Sequence, residues 1–462
     1  MILKISTKES SIEKIGMDEA EVSSMNLSED DATVVDAPLA SPLLPGVLLR
    51  RVSKWLAFSS VVAWTSACCA TSRSACELSF ETEIFLTTKN MAKLRALRSR
   101  FTVRGIKLLA RGVNAAGLAA IGRTHAPALR ALSVKFALAD DLSAFATISA
   151  LRTLEVAHFG ALTSIGGIDS EGELQILRLA DNPALCELDA LIEHGSLHSL
   201  VLNSCPAVAN LDCVVRCGTI TNLKIGFLPL LKDVDGLQRL SALRKLCLDW
   251  NSGLVHINAL SNCTALTALS LTFGSTATTT LGLPLMRRLA RTLRSLSFTT
   301  FAPIAYDCIA SLTRLTSLIL VDISPRPPTV LPIIALASLR SLKFETLVVN
   351  ASAAPLERLV ELAHLESLTL AVAATTTLPA RMLSQMTALS HLDISGSRAL
   401  GSGDPATAPN AFAGLADRIA DRTLQQLCVT ASHRTALEQD DAISRAMRLR
   451  RRGGDALHIS IR

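Results

Sequence analysis

The sequence predicts an α/β solenoid in which short parallel strands stack into one long, curved sheet. Two observations support this. Six segments begin the pattern apolar-x-x-apolar-x-apolar at intervals of 23 residues, and the pattern alternates as a strand does, with its first, fourth and sixth residues turned inward. A constant interval stacks such strands coil on coil. The six repeat starts are Leu151, Leu174, Leu197, Ile220, Leu243 and Leu266.

The best copies add a polar or small closing residue. They run from Leu174 to Asn182, from Leu197 to Cys205 and from Leu243 to Asn251. This arrangement resembles the consensus of the leucine-rich repeat family, in which Asn or Cys closes the motif. The resemblance implies a leucine-rich repeat solenoid with a concave sheet face.

The remainder of each copy predicts how a coil returns to the next strand. Apolar residues recur at about three-residue spacing, as at Leu185, Leu188 and Leu191. Copies of 22 to 23 residues leave little room for a full helix, so we expect extended or 3₁₀ turns there. One copy cannot offset the entropy of ordering itself, so stability comes from stacking.

The array continues beyond the regular block with looser spacing. Most repeats span 22 to 27 residues, and the longer gaps have room for helices or protruding loops. The segment 457–461 alternates as an edge strand. The additional starts are Val103, Leu129, Leu293, Leu315, Leu339, Leu365, Leu389 and, after a gap of 35 residues, Leu424.

Composition divides the 462 residues into three parts. Residues 1–40 hold nine acids and three lysines without periodicity, which predicts a disordered acidic tail. Residues 41–100 read as a helical segment, and 101–462 as the solenoid with a C-terminal cap. No signal-peptide pattern begins the chain, and its eleven cysteines read as reduced packing thiols, including Cys205, Cys217 and Cys263. We therefore expect a cytoplasmic or nuclear protein, or one found in both places.

Between residues 44 and 69 the apolar spacing predicts two short amphipathic helices. The segment also resembles the F-box, a motif of paired and spaced apolar residues. The resemblance implies docking onto the adaptor of an SCF-type (cullin-type) ubiquitin ligase. The matching residues are Leu44, Pro45, Leu48, Leu49, Val52, Leu56, Val61, Val62 and Cys68.

This segment departs from the F-box pattern at four places. Where the family has two acids, a Val and a Trp, this chain has Val47, Ser60, Ala67 and Thr71. Two alternatives therefore stay open: a plain helical cap on the solenoid, and a membrane-inserted helix within the 18 uncharged residues between Lys54 and Arg73. We expect no membrane partner, because six of those 18 residues are Ser or Thr.

The sequence shows no catalytic constellation, metal-spaced ligand set or phosphate loop, so we predict a non-enzyme without cofactors. Eight basic residues without an acid stand between Lys89 and Arg111, and four arginines between Arg448 and Arg452. We interpret the first group as a solvated helix rather than a nucleic-acid site. The second is either a nuclear localisation signal or a solvated tail.

Three aromatic residues recur seven residues after successive repeat starts: Phe227, Trp250 and Phe273. Stacking aligns them along one edge of the sheet, about 5 Å apart, in the same register as His158, Asp181 and Ser204. They form either a binding stripe or, if this register turns inward, part of the core. Basic residues nearby favour an acidic peptide or protein surface as partner: Arg178, Lys224, Arg244 and Lys245.

The sequence therefore predicts a monomeric protein-interaction module. The resemblances imply a substrate receptor of an SCF-type ubiquitin ligase, with an unidentified substrate held on the concave face. A leucine-rich repeat scaffold with no link to ubiquitin is the alternative.

Overall fold

The computed structural model describes most of the chain between residues 83 and 461, all of it within one unit, residues 50–462. The described ranges are 83–85, 105–110, 113–125, 129–168, 172–254, 257–272, 283–300, 306–322, 332–346, 358–372, 385–395, 415–421, 423–429, 441–452 and 458–461.

The described residues form one parallel sheet of 16 strands, in which every strand pairs with its neighbours in sequence. The strands are β1 (Glu83–Phe85), β2 (Gly105–Leu109), β3 (Ala131–Lys135), β4 (Thr153–Ala157), β5 (Ile176–Ala180), β6 (Ser199–Asn203), β7 (Asn222–Gly226), β8 (Lys245–Asp249), β9 (Ala268–Thr272), β10 (Ser295–Thr300), β11 (Ser317–Asp322), β12 (Ser341–Thr346), β13 (Ser367–Val372), β14 (His391–Asp393), β15 (Gln426–Val429) and β16 (His458–Ile461).

The strand positions confirm the solenoid prediction. A strand begins two residues after each of the fourteen repeat starts, and β16 occupies the predicted edge segment. Equivalent residues pair across neighbouring coils, as Leu177 does with Leu200 and Leu200 with Leu223. The sequence did not predict β1, because a strand of three residues is too short to display an alternating pattern.

Short helical turns connect most of the strands, and most of them are the 3₁₀ turns that the repeat length predicted, although the 23-residue copy from Leu197 holds a five-residue α-helix. The 3₁₀ turns are Ser143–Phe145, Asp189–Glu193, Asp235–Arg239, Asn258–Asn262, Tyr306–Ser311, Ile333–Ala335 and Arg358–Glu361. The α-helices are α1 (Ala115–His125), α2 (Asp212–Arg216), α3 (Leu283–Leu289), α4 (Leu415–Ala420) and α5 (Asp441–Arg452). The wider gaps before Leu293, Leu424 and the 457–461 segment hold α3, α4 and α5.

The core is a stack of aliphatic side chains between the sheet and these turns. Leu177, Leu200 and Leu179 are fully buried from the strand side, and Leu185 and Leu191 from the return side. The twentieth residue after a repeat start is also buried in four successive coils, as His194, Cys217, Leu240 and Cys263. Cys217 and Cys263 occupy this position, Cys205 is buried as the closing residue of its repeat, and all three are free thiols, in agreement with their predicted packing role.

Several predictions fall on residues outside the described ranges: the acidic tail, the helices after Leu44, and Phe273. None of the described helices is long and apolar enough to cross a membrane. The described residues also contain no cluster of three or more potential metal ligands.

Candidate functional site

Six side chains line one edge of the sheet, where β3 to β8 end. We call them the ridge: Phe136, His158, Asp181, Ser204, Phe227 and Trp250. Each stands seven residues after a repeat start, and each has a positive φ between 53° and 64°. They are the only non-glycine residues with positive φ in the described part of the chain. The register that the sequence predicted therefore corresponds to one repeated, left-handed turn.

The backbone of the ridge is held by the same hydrogen bonds that join the strands. The Phe227 N–H donates to the Asp249 carbonyl at 2.9 Å, and the Trp250 N–H donates to the Thr272 carbonyl at 2.8 Å. The other four ridge residues bond to the next coil in the same way. The parallel ladder thus extends one residue past each strand, and it fixes the backbone of every ridge residue.

Neighbouring ridge side chains touch in three of the five steps between coils. The Phe136 and His158 rings stack at a centroid distance of 4.6 Å, and the Phe227 and Trp250 rings stack at 6.2 Å. His158 also contacts the next ridge residue, because its Nε2 lies 3.7 Å from Asp181 Oδ2. The ridge is therefore aromatic at both ends and polar in its middle.

Phe227 and Trp250 point into solvent and not into the core. Their exposed fractions are 48% and 39%, against 0% for the next residue of the coil, Leu228. The core-packing alternative for these two rings is therefore wrong. Their centroid distance of 6.2 Å is somewhat larger than the predicted strand spacing of about 5 Å, and the ring planes differ by 11°.

The left-handed turn makes these two aromatic residues informative. Such a conformation costs an L-residue roughly 1–2 kcal/mol, and Asn, Asp and Gly tolerate it better than a bulky side chain. A Phe or Trp at this position is a locally unfavourable choice that also exposes apolar surface. Strained positions of this kind tend to occur at functional sites.

Proline residues extend the ridge into a groove. Pro183, Pro206 and Pro229 lie two residues beyond Asp181, Ser204 and Phe227. Together with Trp250 and Ser252, these residues line an open groove of about 570 Å³. Its walls are rigid, because proline fixes its own φ and the ladder fixes the ridge.

Buried asparagines close the turns below the ridge. Asn251 accepts a hydrogen bond from the Leu228 N–H at 3.0 Å and donates to the Ile225 carbonyl at 3.2 Å. Asn182 makes the equivalent bonds to Phe159 and Val156. Both amides satisfy backbone groups of the preceding coil, so the closing residue of the repeat determines the geometry of the turn that carries the ridge.

The predicted cationic residues lie at two different places. Arg178, Lys224 and Lys245 are exposed on the open face of the sheet, and Lys224 Nζ lies 3.5 Å from Asp249 Oδ2. Arg244 immediately precedes β8, so it lies at the edge opposite Trp250. The structure therefore brings three of the four cations onto the face beside the ridge.

Two parts of this site were not predicted from the sequence. Phe136 has the same seven-residue offset from Leu129, and counting from that start would have included it. The prolines recur nine residues after three successive starts, which is a visible signal in the sequence. The left-handed turn itself has no clear signal, because Phe, Trp and Ser are not typical of it.

Comparisons with known proteins describe the architecture only. No protein-family model matches the chain, and no curated protein does. Solved structures with a similar fold include an internalin from Listeria monocytogenes, at 15% identity and a TM-score of 0.43, covering 75% of this chain and 90% of the internalin.

Two further solved structures are similar to the chain. A leucine-rich repeat protein from Leptospira interrogans is 18% identical, with a TM-score of 0.39, and the match covers 75% of this chain and 94% of that protein. TLR13, solved in complex with ssRNA13, is 15% identical, with a TM-score of 0.48, and the match covers 76% of this chain and 56% of TLR13. By its repeats, its parallel sheet and its closing asparagines, the fold of this chain is a leucine-rich repeat solenoid.

Proposed function

We propose that this chain is a protein-recognition module that binds a partner in the groove beside Phe227 and Trp250. One observation carries the proposal: two stacked, exposed aromatic rings occupy left-handed positions in a chain that is only 4% aromatic. Exposed aromatic side chains in rigid surroundings are typical energetic centres of protein interfaces.

The groove suits a segment of a protein better than a small molecule. It is open and shallow and runs across four coils, from Asp181 to Ser252. Its ridge and proline walls are ordered before binding, which lowers the entropy lost on association. The exposed Arg178, in the strand that directly precedes Asp181 of the groove, favours a partner with acidic residues.

The finer proposal concerns the segment before the solenoid. We infer from its resemblance to the F-box that residues 44–68 dock onto the adaptor of an SCF-type ubiquitin ligase. The solenoid would then hold a substrate near the ubiquitin-carrying enzyme, and catalysis by proximity would belong to the partners. The competing proposal is a scaffold in which the same segment caps the solenoid, and both proposals assume a monomer.

Substitution of the aromatic pair tests the groove. Partners recovered with the parent protein should be lost with Trp250→Ala, because truncating a central interface Trp costs about 2 kcal/mol or more of binding. The melting temperature should change little, since the ring is exposed. Leu230→Ala is a matched control, because Leu230 is 52% exposed in the preceding coil, which carries Phe227, and does not line the groove.

The measurements are quantitative affinity purification and thermal melting of each variant. Equal recovery of partners by Trp250→Ala and Leu230→Ala would rule out the groove. A binding partner identified in this way should then bind the purified parent protein more tightly than it binds Trp250→Ala.

A second experiment tests the adaptor proposal. Changing Leu48 and Leu49 together to Ala should abolish binding of the SCF adaptor while the solenoid stays folded. The pair Val34 and Val35, changed to Ala in the acidic tail, serves as the control. If the parent protein binds no adaptor, and the Leu48 and Leu49 variant melts at a lower temperature, the segment is a cap.

A further inference from the structure

We propose that a second site, on the opposite edge of the sheet, binds a phosphate monoester carried by a protein segment, such as phosphoserine or phosphothreonine. The site is an open pocket of about 600 Å³ where β10, β11 and β12 begin. It shares no residue with the groove beside the ridge, so the two proposals stand independently. Its lining residues are Arg294, Arg314, Thr316, Ala337, Ser338, Arg340 and His364.

The repeat sets the spacing of the basic side chains in this pocket. The Arg294 carbonyl accepts a hydrogen bond from the Thr316 N–H, and the Thr316 carbonyl accepts one from the Arg340 N–H. The two arginines are therefore two strand spacings apart, about 10 Å, with the smaller Thr316 between them. In the neighbouring row, which directly precedes the repeat starts, Ser338 separates Arg314 from His364.

Among the residues that the structure describes, no lining residue neutralises the positive charge of the arginines in this pocket. None of its described lining residues is acidic, and all four basic side chains are exposed. Arg340 forms an ion pair with Glu366 in the next coil. Arg314 Nη1 donates to the Arg291 carbonyl at 2.9 Å, a contact that orients the guanidinium without neutralising it. Three arginines and one carboxylate therefore leave a net positive charge for a ligand.

The same two repeat positions, directly before and directly after a repeat start, bind an anion elsewhere in the chain. The carboxylate of Glu173, the residue before a repeat start, accepts hydrogen bonds from Arg130 at 3.0 Å and from Arg152 at 2.9 Å. The two guanidinium groups, Arg152 most strongly, lower the pKa of Glu173. At β10 to β12 the positions equivalent to Glu173 are Thr292, Arg314 and Ser338, so no side chain of that row supplies the anion.

The dimensions favour phosphate over carboxylate. In the Glu173 cluster the two arginines belong to adjacent coils and hold one singly charged group. In the pocket the position-equivalent arginines, Arg294 and Arg340, stand two coils apart, and Arg314 adds a third positive charge. A phosphate monoester carries about −1.5 to −2 charges near neutral pH and three acceptor oxygens, which match several arginine donors. A nucleic acid is a poorer fit, since no described lining residue is an aromatic that could stack on bases.

The test uses the full chain and the peptide acetyl-Ala-Ala-phosphoserine-Ala-Ala-amide, titrated by calorimetry at constant ionic strength. Binding should be saturable, and at least about tenfold weaker for the peptide with Glu in place of phosphoserine. Changing Arg294 and Arg314 together to Gln should weaken phosphopeptide binding by at least about tenfold. Arg239→Gln, an exposed arginine in a 3₁₀ turn several coils away, should leave binding unchanged.

A second variant guards against a folding artefact. Ser338→Tyr keeps every charge but fills the space between Arg314 and His364, so it should also abolish binding. Absence of saturable binding by the parent protein, or equal loss with Arg239→Gln, would overturn the proposal. Tighter binding of an eight-nucleotide single-stranded RNA than of the phosphopeptide, lost on the same substitutions, would replace it with a nucleic-acid site.

Discussion

The seventh residue after a repeat start behaves differently in the two halves of the array. From Phe136 to Trp250 it adopts the left-handed conformation and ends the strand. In β10 to β13 it is the last residue of a longer, six-residue strand. The four residues concerned are Thr300, Asp322, Thr346 and Val372. The same position of the repeat therefore carries a ridge residue in one half and the last residue of a strand in the other.

Side-chain branching explains most of this difference. Thr300, Thr346 and Val372 are β-branched, and positive φ is strongly unfavourable for such residues. Asp322 could adopt the left-handed turn, but it is extended and pairs with Thr300 on one side and Thr346 on the other. Pairing with extended neighbours thus overrides the local preference of a single residue.

The largest effect should be common to both halves, because they share one core. Leu200→Asp and Leu318→Asp each place an unpaired charge at a position that is 0% exposed. Each should destabilise the protein by more than about 4 kcal/mol. Chemical denaturation measures the change, and a mild effect of Leu318→Asp alone would show that the downstream coils form a separate, looser structure.

Loss of a closing asparagine should affect the ridge half selectively. Asn251→Ala leaves the Leu228 N–H and the Ile225 carbonyl without their buried partner, at a cost of about 2 to 4 kcal/mol. The exposed Asn258 is the control, since Asn258→Ala should change stability by less than about 0.5 kcal/mol. Hydrogen exchange should show faster opening of β7 and β8 in Asn251→Ala, and uniform protection would contradict the proposed role.

A pair of substitutions at Phe227 separates backbone strain from binding. Phe227→Gly relieves the left-handed strain and Phe227→Val increases it, so the valine variant should be less stable by roughly 1 to 2 kcal/mol. Both variants lose the ring that stacks on Trp250 and should bind the partner equally weakly. Melting temperatures and binding constants of the two variants test this, and equal stability would mean that the turn is not strained.

The smallest effect concerns thiols on the return side of the coils. Burial raises the pKa of Cys217 and of Cys263 to about 11, whereas Cys186 is exposed. At pH 8, peptide-resolved alkylation should modify Cys186 at least about tenfold faster than Cys217 or Cys263. The folded state keeps these two protons more tightly than the unfolded chain does, so their contribution to stability is complete below about pH 9 and declines as the pH rises towards 11. Equal alkylation rates would show that the coils open readily.

The sequence predicted best those features that many residues repeat at the same position of the motif. The fourteen repeat starts share one motif and reinforce one another, so that motif predicted fourteen of the sixteen strands. The column of Phe227 and Trp250 followed from the same phase. Phe136 and the prolines also stand at constant offsets from repeat starts, so the same signal was present for them. The pocket around Arg314 could not be predicted, because arginines are common surface residues and only the coil geometry brings these together.

The sequence by itself determined the strand register, the buried aliphatic stack and the alignment of residues with equal offset. These depend on periodicity, because residues at the same place in successive repeats stack on one another. Only the tertiary structure decided where each strand ends, which aligned side chains reach solvent, and which cations meet without a carboxylate between them. Those outcomes depend on hydrogen bonds and charges between coils, which residues distant in sequence supply together.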